Sequence, residues 1–123
     1  MSDTSDIDIW AFRSTSGHVA DGDLLGFHVE ATDGPIGKVD RHSPEAGSQY
    51  LVVDTGPWIF GRQVLLPAGT VLRVEQDEKK VYVDRTKDEI KNGPTFEPIG
   101  YDEDIAYLET FGAYYGPYYG GRY

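Results

Sequence analysis

The stretch from Tyr50 to Arg73, YLVVDTGPWIFGRQVLLPAGTVLR, decides how the rest of the chain is read. It opens on four β-formers, Tyr50-Leu51-Val52-Val53. It breaks at Asp54-Thr55-Gly56-Pro57 and resumes as Gln63-Val64-Leu65-Leu66-Pro67. Two short apolar runs joined by a Gly/Pro-bearing connection predict an antiparallel pair of strands. Inside the connection lies Trp58-Ile59-Phe60, three large apolar residues where a loop is ordinarily polar.

Upstream, Phe27, Val29 and Ala31 alternate with His28, Glu30 and Thr32, the period of a half-buried strand. Asp33-Gly34-Pro35 predicts a turn, because Gly takes unusual φ and Pro cannot donate to a ladder. Ile36 to Asp40 is the next strand, and Ser43 to Ser48 a second turn region. Downstream, Pro67-Ala68-Gly69 turns the chain into Val71-Leu72-Arg73-Val74. Gln76 to Lys79 is a polar hairpin loop, and Lys80 to Asp84 the last strand. About six short strands with turn signals every 8 to 12 residues predict a small all-β barrel or sandwich.

Thr86-Lys87-Asp88-Glu89 has the form of a capping box, and Gly93-Pro94 stops the short helix it opens. A second helix is predicted from Tyr101 to Phe111. Acids Asp102 to Asp104 sit at its N-terminal end, and Ile105, Leu108 and Phe111 form one apolar stripe. The last ten residues, Tyr114 to Tyr123, hold five tyrosines and no periodic pattern. At the other terminus, residues 1 to about 9 are polar and acidic, and Ile9-Trp10-Ala11-Phe12 interrupts them with rings expected to pack on something. The organisation read from this is an irregular N-terminal segment over 1–21, a barrel domain over 22–98 and a helical, Tyr/Gly-rich extension over 99–123.

With those strands in place, the sequence resembles the PRC-barrel domain family. That family is named for the cytoplasmic domain of the reaction-centre H subunit, and it includes the C-terminal domain of the ribosome maturation factor. The matching residues are Leu25-Gly26, Asp33 to Val39 as strand, turn and strand, and Tyr50 to Asp54. Val64 to Pro67, Val71, Val81-Tyr82-Val83 and the Thr86 to Pro94 segment complete the match, which spans roughly residues 22 to 98. The sequence departs from those two members in having neither a membrane anchor nor an N-terminal barrel domain, and is most similar to stand-alone bacterial PRC-barrel proteins. The resemblance implies a small, highly bent barrel of about six strands with a short closing helix. It implies an adaptor or assembly role, with no shared catalytic residues.

Charge and composition narrow the function. The 123 residues carry a formal net charge of −10 and no cysteine. That charge disfavours phosphate backbones and anionic lipid, since binding them draws on clustered Lys and Arg. Without cysteine there is neither a disulfide framework nor a thiolate metal site. No apolar run approaches a membrane span, and MSDTSDIDIW lacks the features of a signal peptide, so a cytoplasmic protein is expected.

No catalytic residue, cofactor or metal site is expected. His18, His28 and His42 have polar neighbours and no completing ligand spacing; His28 and His42 lie on adjoining strands, which leaves their approach open. Gly34 to Lys38 lacks the spacing of a phosphate loop. The candidate interaction residues are instead aromatic: Trp58, Ile59, Phe60, Tyr114, Tyr115, Tyr118 and Tyr119. Each group has two readings, packing on its own barrel or forming an exposed interface. The expected function is a non-catalytic protein–protein interaction module that self-associates, a dimer being favoured. The alternatives are an accessory factor that docks on a basic protein and, behind it, a small-molecule binder.

Overall fold

The structure is a computed structural model that describes residues 9–12, 24–42, 49–56, 63–94, 96 and 101–119; of 41, 42 and 101–106 it describes the backbone alone. The strands are β1 (His28–Ala31), β2 (Gly34–His42), β3 (Tyr50–Asp54), β4 (Gln63–Pro67), β5 (Val71–Glu75) and β6 (Lys80–Val83). Helix α1 spans Lys87–Lys91 and α2 spans Tyr101–Tyr115. Short 3-10 turns cover Ala68–Thr70 and Gly116–Tyr119.

The strands form one 6-stranded sheet in the order β4-β3-β2-β1-β6-β5. Neighbours pair antiparallel except β1 and β6, which run parallel. The order forces curvature. β4 and β5 are the two outer strands, yet only the 3 residues Ala68–Thr70 join them. Four Cα steps reach at most about 14 Å, whereas five flat inter-strand spacings measure about 24 Å. The sheet therefore curls into a half-barrel that brings its edges together.

Three register shifts along the described strands let it bend. The pairing slips between Val29 and Glu30 opposite β2, between Val39 and Arg41 opposite β3, and between Val71 and Arg73 opposite β6. The residues left over are Ile36, Asp40 and Leu72. An extra residue in one strand bends it and increases its twist.

The β3–β4 pair is antiparallel as its sequence predicts, with Tyr50 opposite Pro67 and Val53 opposite Val64. Tyr50 to Val53 and Val64 to Pro67 are all buried, so both faces of these two strands are covered. That is why the runs are continuous instead of alternating. Helix α2 lies against β4. The N-terminal strap Ile9–Phe12 is tied to the same end of the sheet. The amide of Gly69 donates to the Ile9 carbonyl at 2.7 Å, and that of Gln49 to the Trp10 carbonyl at 2.8 Å. Ile9 is buried in the core, and Trp10 and Phe12 pack against it.

Elsewhere the structure moves some boundaries. Gly34 and Pro35, expected in a turn, are the first residues of β2, and the turn is Thr32-Asp33. Pro35 opposes Glu30 next to a register shift, where the ladder is already irregular and a missing N–H costs little. The capping box forms in both directions: Glu89 N donates to Thr86 Oγ1 at 3.1 Å, and Thr86 N to Glu89 Oε1 at 2.9 Å. Asp33 Oδ1 accepts from Lys87 N at 2.9 Å, fastening α1 to the β1–β2 turn. α2 runs past Phe111 to Tyr115, because Tyr115 continues the buried stripe one turn beyond Phe111.

Candidate functional site

Beyond the sheet, side chains from separate elements meet where α1, the end of β6 and the C-terminal tyrosines come together. Three elements build the site. The segment after β6 supplies Asp84 and Arg85. The capping box holds Glu89 in the first turn of α1. The C-terminal end of α2 and the 3-10 turn that follows it bring Tyr114, Tyr115, Tyr118 and Tyr119.

Arg85 is the centre. Its backbone carbonyl accepts from Thr32 N at 3.1 Å, which fixes the residue to the β1–β2 turn. Its Nε donates to the Asp84 carbonyl at 2.7 Å, and its Nη1 lies 3.6 Å from Glu89 Oε1. The guanidinium carbon is 4.3 Å from the centre of the Tyr118 ring and 5.2 Å from that of Tyr119. Such cation–ring stacking strengthens as water is excluded.

The tyrosines divide by burial. Tyr115 is 1 % exposed and Tyr119 7 %, so both rings belong to the interior of their own chain. Tyr119 Oη donates to Asp84 Oδ1. Tyr114 is half-buried and donates through Oη to the Glu89 carbonyl at 2.6 Å, tying α2 to α1. Tyr118 is 43 % exposed, with its other side on Arg85. Behind them Phe96, Tyr107, Phe111 and Tyr115 form an aromatic stack. Phe96 meets Tyr107 edge-on at 5.0 Å, and Phe111 lies nearly parallel to Tyr115 at 6.4 Å. These are favoured geometries for rings with negative faces and positive edges.

Burial raises the Tyr115 hydroxyl well above the ordinary tyrosine range; Tyr114 and Tyr118 add to the shift and Arg85 offsets part of it. Tyr114 is raised by the same first cause, then by Tyr118 and Glu89. The sign follows directly. A folded-state value above the unfolded one, about 10 for tyrosine, means stability is fully present below that pH. It is lost as pH rises above it, because the unfolded chain gives up protons that the folded one keeps. Urea midpoints are expected to fall steeply above about pH 10, and Tyr115→Phe should flatten that fall. An unchanged alkaline slope in Tyr115→Phe would show that Tyr115 does not hold its proton in this way.

The remaining sequence candidates separate. Trp58, Ile59 and Phe60 lie outside the described residues, as does His18. His28 and His42 do not face each other: His28 opposes Lys38 on β2, while His42 opposes Leu51 on β3. No group of three or more His, Cys, Asp or Glu among the described residues is placed to hold a metal ion. No described helix is long and apolar enough to cross a membrane. Sequence reasoning passed over Arg85. Its visible signal was a lone cation between a strand and a capping box, and the rings that give it meaning arrive more than thirty residues later.

No family model matches the chain, and no curated protein matches it significantly. Among solved structures, it is similar to a Pseudomonas aeruginosa protein assigned provisionally to 16S ribosomal RNA processing, RimM. The two share 25% sequence identity, with a TM-score of 0.45. The alignment covers 53% of this chain and 42% of that one, so this chain matches less than half the length of its neighbour.

Proposed function

We propose that the chain is a non-catalytic protein–protein interaction and assembly module of the PRC-barrel type, which pairs with a second copy of itself through the surface around Tyr118. The observation that carries the reading is the Tyr118–Arg85 stack, half-exposed and already fixed in place. Tyr and Arg are among the residues that dominate interface energetics. A ring immobilised before binding does not lose rotamer freedom again on association, a cost of about 0.5–1.5 kcal/mol per side chain. Of the candidate tyrosines, Tyr118 makes the contact, Tyr114 forms its edge, and Tyr115 and Tyr119 hold the platform from behind.

Light scattering on the full chain tests this. The expected mass is a dimer that falls to a monomer in Tyr118→Asp. The thermal midpoint should fall modestly, because the ring is withdrawn from Arg85 and Tyr114 and dimerisation no longer stabilises the folded state. A wild-type monomer at working concentration overturns self-association and directs attention to a basic partner. A dimer that survives Tyr118→Asp moves the interface elsewhere, with Trp58 to Phe60 the next residues to change.

A further inference from the structure

The N-terminal strap is held by groups from three distant parts of the chain. Buried Gly69, in the turn between β4 and β5, donates to the Ile9 carbonyl at 2.7 Å, and Gln49, just before β3, donates to the Trp10 carbonyl at 2.8 Å. Gly112 of α2 lies against the Trp10 ring: a Cβ there would be 3.4 Å from Trp10 Cζ2 and 3.6 Å from Nε1. Ile9 is buried in the core, while Trp10 and Phe12 pack against it partly buried. Glycine inside a helix is disfavoured against alanine, yet here its bare backbone gives the indole a seat.

The walls of that seat belong to the sheet and to α2. Residues 9–12 form neither strand nor helix. What they offer Gly69 and Gln49 are main-chain carbonyls, which any residue supplies, so specificity rests on Ile9, Trp10 and Phe12. Ordering four residues costs conformational entropy of the same order as such anchors return. A segment with that balance opens locally while the sheet stays closed. Residues 13 to 23 separate the strap from the core residue Leu24. That length of chain reaches up to about 40 Å, so the strap can leave its seat without moving β1.

We propose that Ile9–Phe12 is a displaceable strap, and that the seat it covers is a docking site for a segment of a partner protein with the same chemistry. That segment has an aliphatic residue followed directly by tryptophan, with phenylalanine two positions on. The strap itself selects the occupant, because it is seated there and shows which side chains and which carbonyls the site accepts. While seated, it competes with the effective concentration of a tethered group, so the site stays closed until a partner takes its place. The partner then gains the Gly69 and Gln49 amides as donors and fills the apolar space that Ile9 leaves.

Two measurements on the full chain test this. In the unaltered protein, the Gly69 and Gln49 amides should exchange with deuterium about tenfold faster than those of Val52 and Val53 in β3, since the strap opens without the sheet. The second measurement uses a labelled peptide with the sequence of residues 6 to 13. It should bind the unaltered chain weakly and the Ile9→Asp chain about tenfold more tightly, because a carboxylate buried without a partner drives the chain's own strap out. Within the Ile9→Asp chain, Gly112→Leu should abolish binding and Gly112→Ala should leave it nearly unchanged. A peptide carrying Trp10→Ala should not bind. The proposal is overturned by equal exchange at the two amides and in β3, by an Ile9→Asp chain that unfolds, by no saturable binding, or by binding indifferent to Gly112→Leu or to the loss of the tryptophan. A dimer that dissolves in Ile9→Asp overturns it too, since a second copy's strap would then be the occupant.

Discussion

Gly37→Ala is expected to destabilise the fold by about 3–5 kcal/mol, a large part of the roughly 5–15 kcal/mol that holds a small domain together. Gly37 sits in β2 at φ +152°, where β3 crosses closest. A Cβ placed there lies 2.0 Å from the Asp54 carbonyl oxygen and 2.9 Å from Thr55 Cα. Both obstacles are backbone, so no side-chain rotation relieves the clash. The β2–β3 ladder must open around the Lys38–Asp54 pair, which is one end of its four residue pairs. Urea denaturation measures the loss. Gly56→Ala is the control: it also has a positive φ, +57°, but nothing lies within 4 Å of the added carbon. It should cost only about 1 kcal/mol, the backbone penalty for leaving glycine. Equal losses in the two variants would mean that conformation, and not the close approach of β2 and β3, sets the requirement at Gly37.

Phe111→Ala should cost a similar amount, about 3–5 kcal/mol for truncating a buried ring. The route of the damage is different. Phe111 is buried between Phe96, whose ring centre is 5.8 Å away, and Tyr115. Removing it loosens α2 where the helix lies against β4. Trp10 loses support as well, since it packs beside Gly112, the next residue in α2. The second face of β3 and β4 is then exposed together with the β4 edge, a combination that favours aggregation. Hydrogen exchange should therefore show lost protection in β4 before any change in the β1–β2 hairpin. Uniform loss of protection across the sheet would instead make α2 an inseparable part of the half-barrel's cooperative unit.

Local chemistry was legible. Tyr50 to Val53 and Val64 to Pro67 announced a strand pair, and Thr86 with Glu89 announced a helix start, because each signal needs only neighbouring residues. The alternation of Phe27, Val29 and Ala31 placed three buried side chains correctly. Where the reading stopped short, a distant contact intervened. Helix α2 was expected to end at Phe111; it continues because Tyr115 finds a buried site among Phe111 and Tyr114. Gly34-Pro35 reads as a turn by composition, but pairing with Ala31 and Glu30 draws it into β2.

The sequence by itself determined the order and type of the strands, the capped helix α1, the absence of thiolate chemistry and the acidic balance of the chain. These follow from side-chain type and spacing along the backbone. Only the tertiary structure decided the curl of the sheet, the close approach at Gly37 and the Arg85–tyrosine platform. Each depends on strand register or on residues far apart in the chain, and a slip of one residue would turn every side chain of a strand to the opposite face. Register is set by the summed packing of the whole sheet, a quantity that no single stretch of sequence contains.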